Sequence, residues 1–344
     1  MSGGQASDIC DLSANENPST PSPRVLAAIA AAAERLNRYP DREDDELREA
    51  VATALGRGLT PEHVLTGASG SDVLELIARV HLDHGDEAIV CPPTFTVYAP
   101  QIQRLRATVI KVPLDPRTFA CDVDAVLDAV TARTRIVYVC NPGNPTGVIV
   151  PSSAVERLLD RLPESVLVLA DEVYFQYVTS ALYPDSIGHV LSGRSVIVVH
   201  SFSKAYGLAG LRLGYAIAAP PVAQRIAAAR RKFHLGCLDV AAGVAALSDT
   251  AFVRNSVALV HRELPGFYEA FDRLRLTYWR SDANFVLFKA PGDAAALQRA
   301  LLERGVRIRT TDGNGLPGHL RVTVGLPEEN RRFLSALVEA VSCA

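Results

Sequence analysis

Between about residues 60 and 220, short runs of apolar, β-branched residues alternate with longer stretches whose apolar positions recur at helical spacing. The runs are EAIVCPP (87–93), ATVIKVPL (107–114), RIVYVCNP (135–142), SVLVLADE (165–172), SVIVVHS (195–201) and LRLGYAIA (211–218). Several are apolar on both faces, as the strands of a buried parallel sheet are. Between them, SDVLELIARVHLD (71–83) and PSSAVERLLDRL (151–162) predict helices, the second opening with Pro and Ser at cap positions. The repeating unit is β-α, so the pattern predicts an α/β fold: a mainly parallel sheet with helices on both faces.

After about residue 221 the texture changes. PPVAQRIAAARRKF predicts a long Ala- and Arg-rich helix, and NFVLFKA (284–290), GVRIRTT (305–311) and HLRVTVG (319–325) predict short strands flanking a helix. That mixture predicts a smaller α+β domain. The N-terminal stretch, with its helix VLAAIAAAAERL, precedes the β-α pattern and is expected to pack with this tail. The expected division is a large α/β domain over 36–245 and a small domain made of 1–35 and 246–344.

Composition narrows the class of partner. Lys and Arg total 35 against 38 Asp and Glu, a formal net charge of -3 with no basic block, which argues against nucleic acid and for a small molecule. The N-terminus lacks the basic start and apolar core of a signal peptide, and no run of about eighteen apolar residues is free of charge. A soluble cytoplasmic protein with no membrane contact is expected. Cys10, Cys91, Cys121, Cys140, Cys237 and Cys343 lie far apart with no C-x-x-C pair, so free, mostly buried thiols are expected, with neither a disulfide framework nor a zinc site.

In an open α/β sheet, ligands bind beyond the carboxyl ends of the strands. Here those ends read GASGSD, PPTF, NPGNPTG, DEVY and SFSK. Turn geometry explains Gly, Pro and Asn at any one of them. It does not explain why five successive ends converge with an Asn, an Asp, a Tyr, several hydroxyls and a Lys. Asp171 ends a strand that should be deeply buried and needs a cationic partner; a protonated pyridine nitrogen would serve, as would a helix N-cap or an arginine. Lys204 fits an amine that forms a Schiff base, with Arg212 as a depressor of its pKa. Ser201, Ser203 and GASGSD leading into a helix suit a phosphate.

NPGNPTG, Asp171 twenty-seven positions after Asn144, SFSK, and Arg212 eight residues beyond Lys204 together closely resemble the fold-type I pyridoxal-phosphate aminotransferases of class I/II. NENP near the start, RYPD (38–41), PPTF (92–95) and HLRVTVG are most similar to the histidinol-phosphate branch. The resemblance implies the PLP-dependent transferase fold, with a seven-stranded, mainly parallel sheet. It implies pyridoxal 5'-phosphate held covalently as a Schiff base on Lys204, with Asp171 on the pyridine nitrogen. Asn144 and Tyr174 would bond the phenolic oxygen, Phe95 would stack on the ring, and Ser201, Ser203, Arg212 and the backbone around Ser69, Gly70 and Ser71 would hold the phosphate. Tyr39 would reach that phosphate from the partner subunit of a homodimer, across which an N-terminal arm would extend. Arg321 would clamp a substrate carboxylate, Arg309 a substrate phosphate, and Asn144 would also face the substrate.

Three positions depart from the family pattern: Val73 where an acid is frequent, a basic ARRKFHLGC (229–237), and Phe95 for the usual tyrosine. The reaction implied is transamination between an amino donor, such as histidinol phosphate or an aromatic amino acid, and 2-oxoglutarate, with Lys204 as acid–base and Asp171 and Tyr174 supporting it. A second reading keeps the cofactor but makes the protein a lyase, decarboxylating a phospho-amino acid in the manner of a threonine-phosphate decarboxylase. A third, a non-enzymatic or nucleotide-binding α/β protein, is opposed by the absence of a G-x-x-x-x-G-K-[ST] or G-x-G-x-x-G motif.

Overall fold

A computed structural model of the chain describes residues 9–40, 42 and 44–342. The beginning of the expected N-terminal arm, Asp41 of RYPD and Cys343 lie outside the described residues. The strands in chain order are β1 (Cys10–Asp11), β2 (Val64–Gly67), β3 (Glu87–Val90), β4 (Thr108–Lys111), β5 (Thr134–Cys140) and β6 (Leu167–Asp171). They continue with β7 (Val196–Ser201), β8 (Gly214–Ile217), β9 (Phe285–Lys289), β10 (Val306–Arg307), β11 (Arg309–Thr310) and β12 (His319–Thr323).

Seven strands form the large sheet in the order β2-β8-β7-β6-β5-β3-β4. The pairs among β3 to β7 are parallel, and β8 runs antiparallel to both its neighbours, β7 and β2. Residues that alternate along a strand enter opposite cores: Val168 and Val198 pack into one apolar cluster, Leu169, Ile197 and Val199 into the other. This is the two-sided burial that the continuous apolar runs predict. Val73, where the family pattern often has an acid, is fully buried in the second cluster.

Two predicted elements come out differently. LRLGYAIA begins as strand only at Gly214, because Ala209–Leu211 form a 3-10 turn and Arg212 takes a left-handed φ of 61°. The helix of PPVAQRIAAARRKF stops at Ala227. Beyond it the Arg230 guanidinium is captured by Asp44 (2.8 Å) and the Thr66 carbonyl (3.1 Å), which ties the basic segment down as a loop. Burial and Arg230 push the pKa of His234 in this loop down to about 4.

The smaller sheet has the order β11-β12-β9, all antiparallel, while β1 and β10 make a separate parallel pair. GVRIRTT is thus divided, Val306–Arg307 pairing with the N-terminal strand and Arg309–Thr310 with β12. The helix Thr250–Arg273 lays Val260, Leu264, Phe267 and Phe271 on this sheet at helical spacing. The N-terminal segment is shared between the two units. β1 joins the C-terminal part, whereas the helix Pro23–Ala33 packs against the helix Cys237–Ser248 and sends Val25 into the core of the large sheet. The expected division had placed all of 1–35 with the C-terminal part; the apolar face of that helix finds its cover on the large unit instead.

Of the described cysteines, Cys10 is buried, and Cys91, Cys121, Cys140 and Cys237 are half-buried free thiols. The thiols are less buried than the sequence suggests.

Close packing between β8 and the helix Gly70–His81 depends on one glycine. A Cβ on Gly214 would lie 2.4 Å from the Gly70 amide nitrogen and 2.6 Å from the Ser69 carbonyl carbon. Gly214→Ala is therefore expected to cost about 1–3 kcal/mol of stability. Gly266→Ala, where a Cβ meets nothing within 4 Å on an exposed helix face, is expected to add about 0.5–1 kcal/mol. Urea denaturation of the two variants beside the parent chain checks both signs.

Candidate active site

The carboxyl ends of the large sheet open into a cavity of about 660 Å³, closed on its other side by Arg309 and Arg321 of the smaller sheet and by residues 13–16. Gly70, Ser71, Phe95, Asn144, Asp171, Tyr174, Ser201, Ser203, Lys204 and Arg212 all line it. The structure therefore brings together nearly every residue singled out from the sequence. Ser69 stands just behind the lining, buried, with its side chain accepting the Asp72 amide as an N-cap (3.1 Å). Tyr39 lies outside this cavity, 74% exposed, and stacks on Phe233 with ring centroids 4.6 Å apart.

Asp171 is the last residue of β6, the middle strand of the large sheet, and is almost wholly buried. Loss of solvent pushes its pKa up from 3.8 to about 6, against the opposing hydrogen bond from the Tyr98 hydroxyl to Oδ2 (2.6 Å). Its other oxygen, Oδ1, has no hydrogen-bond partner among the described residues. Tyr98, fully buried and three residues after Phe95, was not singled out from the sequence. Only the fold turns it toward Asp171, and its ring meets Phe95 edge-on at 5.6 Å.

Lys204 follows β7 on the same side. Its Nζ donates to the carbonyls of Asn15 (3.0 Å) and Ala14 (3.4 Å). Its pKa is lowered from 10.5 to about 8, first by burial and then by the Arg321 cation; Arg212, the depressor expected from the sequence, is a smaller contributor. The lysine thus loses its proton more readily than a solvated one, which suits a nucleophile. Segment 13–17 holds the lysine's surroundings in place. Asn15 donates through Nδ2 to the Tyr174 hydroxyl (3.0 Å), and Asn17 through Nδ2 to the Lys204 and Ala205 carbonyls (3.3 and 3.2 Å). Asn284 donates to the Asn15 carbonyl (3.1 Å). These asparagines were visible in the sequence, in NENP and beside β9, but carried no signal that they would meet the lysine.

At the other end, Ser201 ends β7 and its Oγ accepts the Ser203 amide (3.1 Å). Gly70 begins the helix Gly70–His81, whose N-terminal amides and dipole favour an anion. Ser69 (φ 112°) and Arg212 (φ 61°) both adopt the left-handed side of backbone space beside this cradle. On the smaller sheet, Arg309 and Arg321 are register partners across β11 and β12. The Arg321 guanidinium is buried, yet its partners are the neutral Asn144 Oδ1 (2.5 Å) and Ser13 carbonyl (2.9 Å), and its Nε has none. A buried cation with no carboxylate against it is suited to a ligand anion. Among the described residues there is no His, Cys, Asp and Glu grouping that could hold a metal ion.

The family model described as aminotransferase class I and II matches residues 7–337. The chain belongs to this aminotransferase family. It is 40% identical to the histidinol-phosphate aminotransferase of Moorella thermoacetica over 97% of this chain and 86% of that protein. It is also 40% identical to histidinol-phosphate aminotransferase 1 of Cupriavidus pinatubonensis, over 97% and 88%. Among solved structures, the histidinol-phosphate aminotransferase of Sinorhizobium meliloti in complex with pyridoxal 5'-phosphate superimposes with a TM-score of 0.88 at 28% identity, covering 98% of this chain and 92% of that one. The aspartate aminotransferase of Thermus thermophilus with maleate gives 0.87 at 26% identity, covering 98% and 92%. The fold is thus that of the fold-type I transferases, and the cofactor is pyridoxal 5'-phosphate. The residues present fit it: Asp171 offers a buried carboxylate oxygen, unpartnered among the described residues, to a pyridinium proton, and the anion cradle lines the same cavity as Lys204.

The buried carboxyl of Asp171 has a measurable consequence for the aminotransferase stripped of cofactor. With its folded pKa raised from 3.8 to about 6, the folded protein favours the protonated acid. That contribution is complete below about pH 4 and is lost as the pH rises through about 6. Asp171→Asn, neutral throughout, is expected to be the more stable apoprotein at about pH 8, by up to about 3 kcal/mol, with the difference vanishing near pH 4. Thermal melts of both apoproteins across that range check it.

Proposed function

We propose that this aminotransferase transfers the amino group of histidinol phosphate to 2-oxoglutarate, giving a phosphorylated ketone and glutamate. The observation that carries this reading is the pair Arg309 and Arg321: neighbours across β11 and β12, both lining the cavity, with no carboxylate paired to either among the described residues. Two guanidiniums match a phosphate dianion, where a single carboxylate needs one. The names of the curated relatives support the same substrate.

Each residue then has a task. Bound in the cavity, pyridoxal phosphate supplies an electron sink for the bond broken at the substrate's α-carbon. Lys204 is its attachment point and, once free, accepts the α-proton at Nζ and returns it later in the cycle. A pKa near 8 keeps enough neutral amine for that role around neutral pH. Asp171 holds the proton on the pyridine nitrogen, Asn144 and Tyr174 bond the phenolic oxygen, and Phe95 covers the ring. Ser201, Ser203, Arg212 and the amides of Ser69, Gly70 and Ser71 hold the cofactor phosphate. When glutamate or 2-oxoglutarate replaces the first substrate, Arg321 with Asn144 takes its α-carboxylate.

In the same reading the working unit is a cytoplasmic homodimer in which Tyr39 reaches the partner subunit's cofactor phosphate. The exposed stack of Tyr39 on Phe233 is an aromatic patch of the kind that subunit contacts use. No helix among the described residues is long and apolar enough to cross a membrane.

Incubation with histidinol phosphate and 2-oxoglutarate is expected to yield glutamate; no glutamate would overturn the proposal. Lys204→Ala is expected to lower kcat by about 10²–10⁴-fold. Arg309→Ala is expected to raise KM for histidinol phosphate by about 10–100-fold while leaving the half-reaction with glutamate nearly unchanged, as stopped-flow measurement of each half-reaction checks.

A further inference from the structure

Beyond Asp171, Glu16 is the acidic residue that lines the cavity among the described residues. Its backbone is fixed from several sides. Asn284 donates to the carbonyls of Asn15 (3.1 Å) and Glu16 (3.3 Å), and Asn17 is anchored on the Lys204 and Ala205 carbonyls. The four cations that line the same space are Lys204, Arg212, Arg309 and Arg321, and Glu16 forms an ion pair within 4 Å with none of them. It acts on Lys204 only through space, as one of the smaller influences on that amine. The Glu16 side chain is exposed on this fixed backbone, so its carboxylate is solvated in the free protein and, in a cavity otherwise rich in cations, is an acceptor that a bound ligand would have to supply with a donor.

The inference rests on the substrate reading above. Histidinol phosphate presents an amine, a phosphate and an imidazole. The amine goes to the cofactor beside Lys204 and the phosphate to Arg309 and Arg321. The ring N–H groups remain, and imidazole is the ring whose charge is set near neutral pH. Two other polar side chains of the lining are already tethered, Gln298 Nε2 to the Ile308 carbonyl (2.8 Å) and Asn314 Nδ2 to the Thr94 carbonyl (3.0 Å). We propose that Glu16 is a specificity-determining residue that accepts a hydrogen bond from the substrate's imidazole ring and disfavours a phenyl ring in the same place. An acceptor desolvated against a phenyl face has no donor to replace water.

The test compares L-histidinol phosphate with L-phenylalaninol phosphate, which keeps the amine and phosphate and lacks the ring nitrogens, each with 2-oxoglutarate. In Glu16→Ala, which removes the acceptor, the ratio of the two kcat/KM values is expected to fall by about 10–100-fold, through the histidinol phosphate term, with phenylalaninol phosphate unchanged or improved. Glu16→Asp, which keeps the charge, is expected to recover part of the preference, so a loss by misfolding is distinguished from a loss of recognition. Equal losses for both substrates would overturn the inference and make Glu16 a counter-charge to Lys204; an unmoved ratio would overturn it as well. If the parent enzyme makes glutamate from histidinol phosphate and the ratio does not move, only the role of Glu16 falls. If it makes none, the substrate reading falls and this inference with it.

Discussion

The site depends on one unfavourable act of burial, the placing of a carboxylate at the end of the middle strand of a seven-stranded sheet. β6 has two strands between it and each edge strand of the sheet, so its last residue cannot be solvated from the side. Asp171 is accordingly cut off from water, with one oxygen held by Tyr98 and the other left without a partner among the described residues. Such a group is costly to the folded chain alone, and the cost is offset only when a cation meets it. In the proposed reading a pyridinium does so, which would tie the stability of the sheet's centre to cofactor binding.

A second constraint couples the two units of the molecule. Segment 13–17 begins beside β1, on the smaller unit, and passes over Lys204, so that its carbonyls accept from both Lys204 (Asn15, 3.0 Å) and Arg321 (Ser13, 2.9 Å). Lys204 and Arg321, the proposed attachment point of the cofactor and the proposed partner of the substrate's anion, are therefore held by the same short stretch of backbone. Arg321 in turn lowers the pKa of Lys204. An anion arriving at Arg321 neutralises part of that field and raises the proton affinity of Lys204, so the amine becomes more basic once substrate is in place.

Much of this was legible in the sequence because the strands are short, apolar and terminated by chemically unusual residues. The runs ending in Asp171 and Ser201 read as buried strands, and both residues face the cavity at the ends of β6 and β7. What could not be read is what depends on pairing across distant segments. Tyr98 looks like any helix residue until α/β packing turns it under β6. GVRIRTT reads as one strand, but its two halves serve different sheets, and that division is what sets Arg309 beside Arg321. The helix 220–227 ends early because Arg230 finds Asp44 and Thr66, residues more than a hundred and fifty positions away in the chain.

The charges of the cavity follow from the same geometry and bear on substrate class. Cations enter from both sides: Lys204 and Arg212 from the large sheet, Arg309 and Arg321 from the small one. Asp171 is buried at the end of β6, leaving Glu16 as the exposed acidic residue of the lining among the described residues. A ligand with a single carboxylate would leave one of the two small-domain guanidiniums uncompensated. A ligand carrying a dianion at one end and a hydrogen-bond donor at the other satisfies both arginines and the glutamate together. The charges differ in how they are mounted: Arg321 sits at the middle of β12, Arg309 opens β11, and Glu16 lies in the segment that crosses to the large sheet, so a change in segment 13–17 would retune the site without disturbing a strand, whereas a change at Arg321 would not.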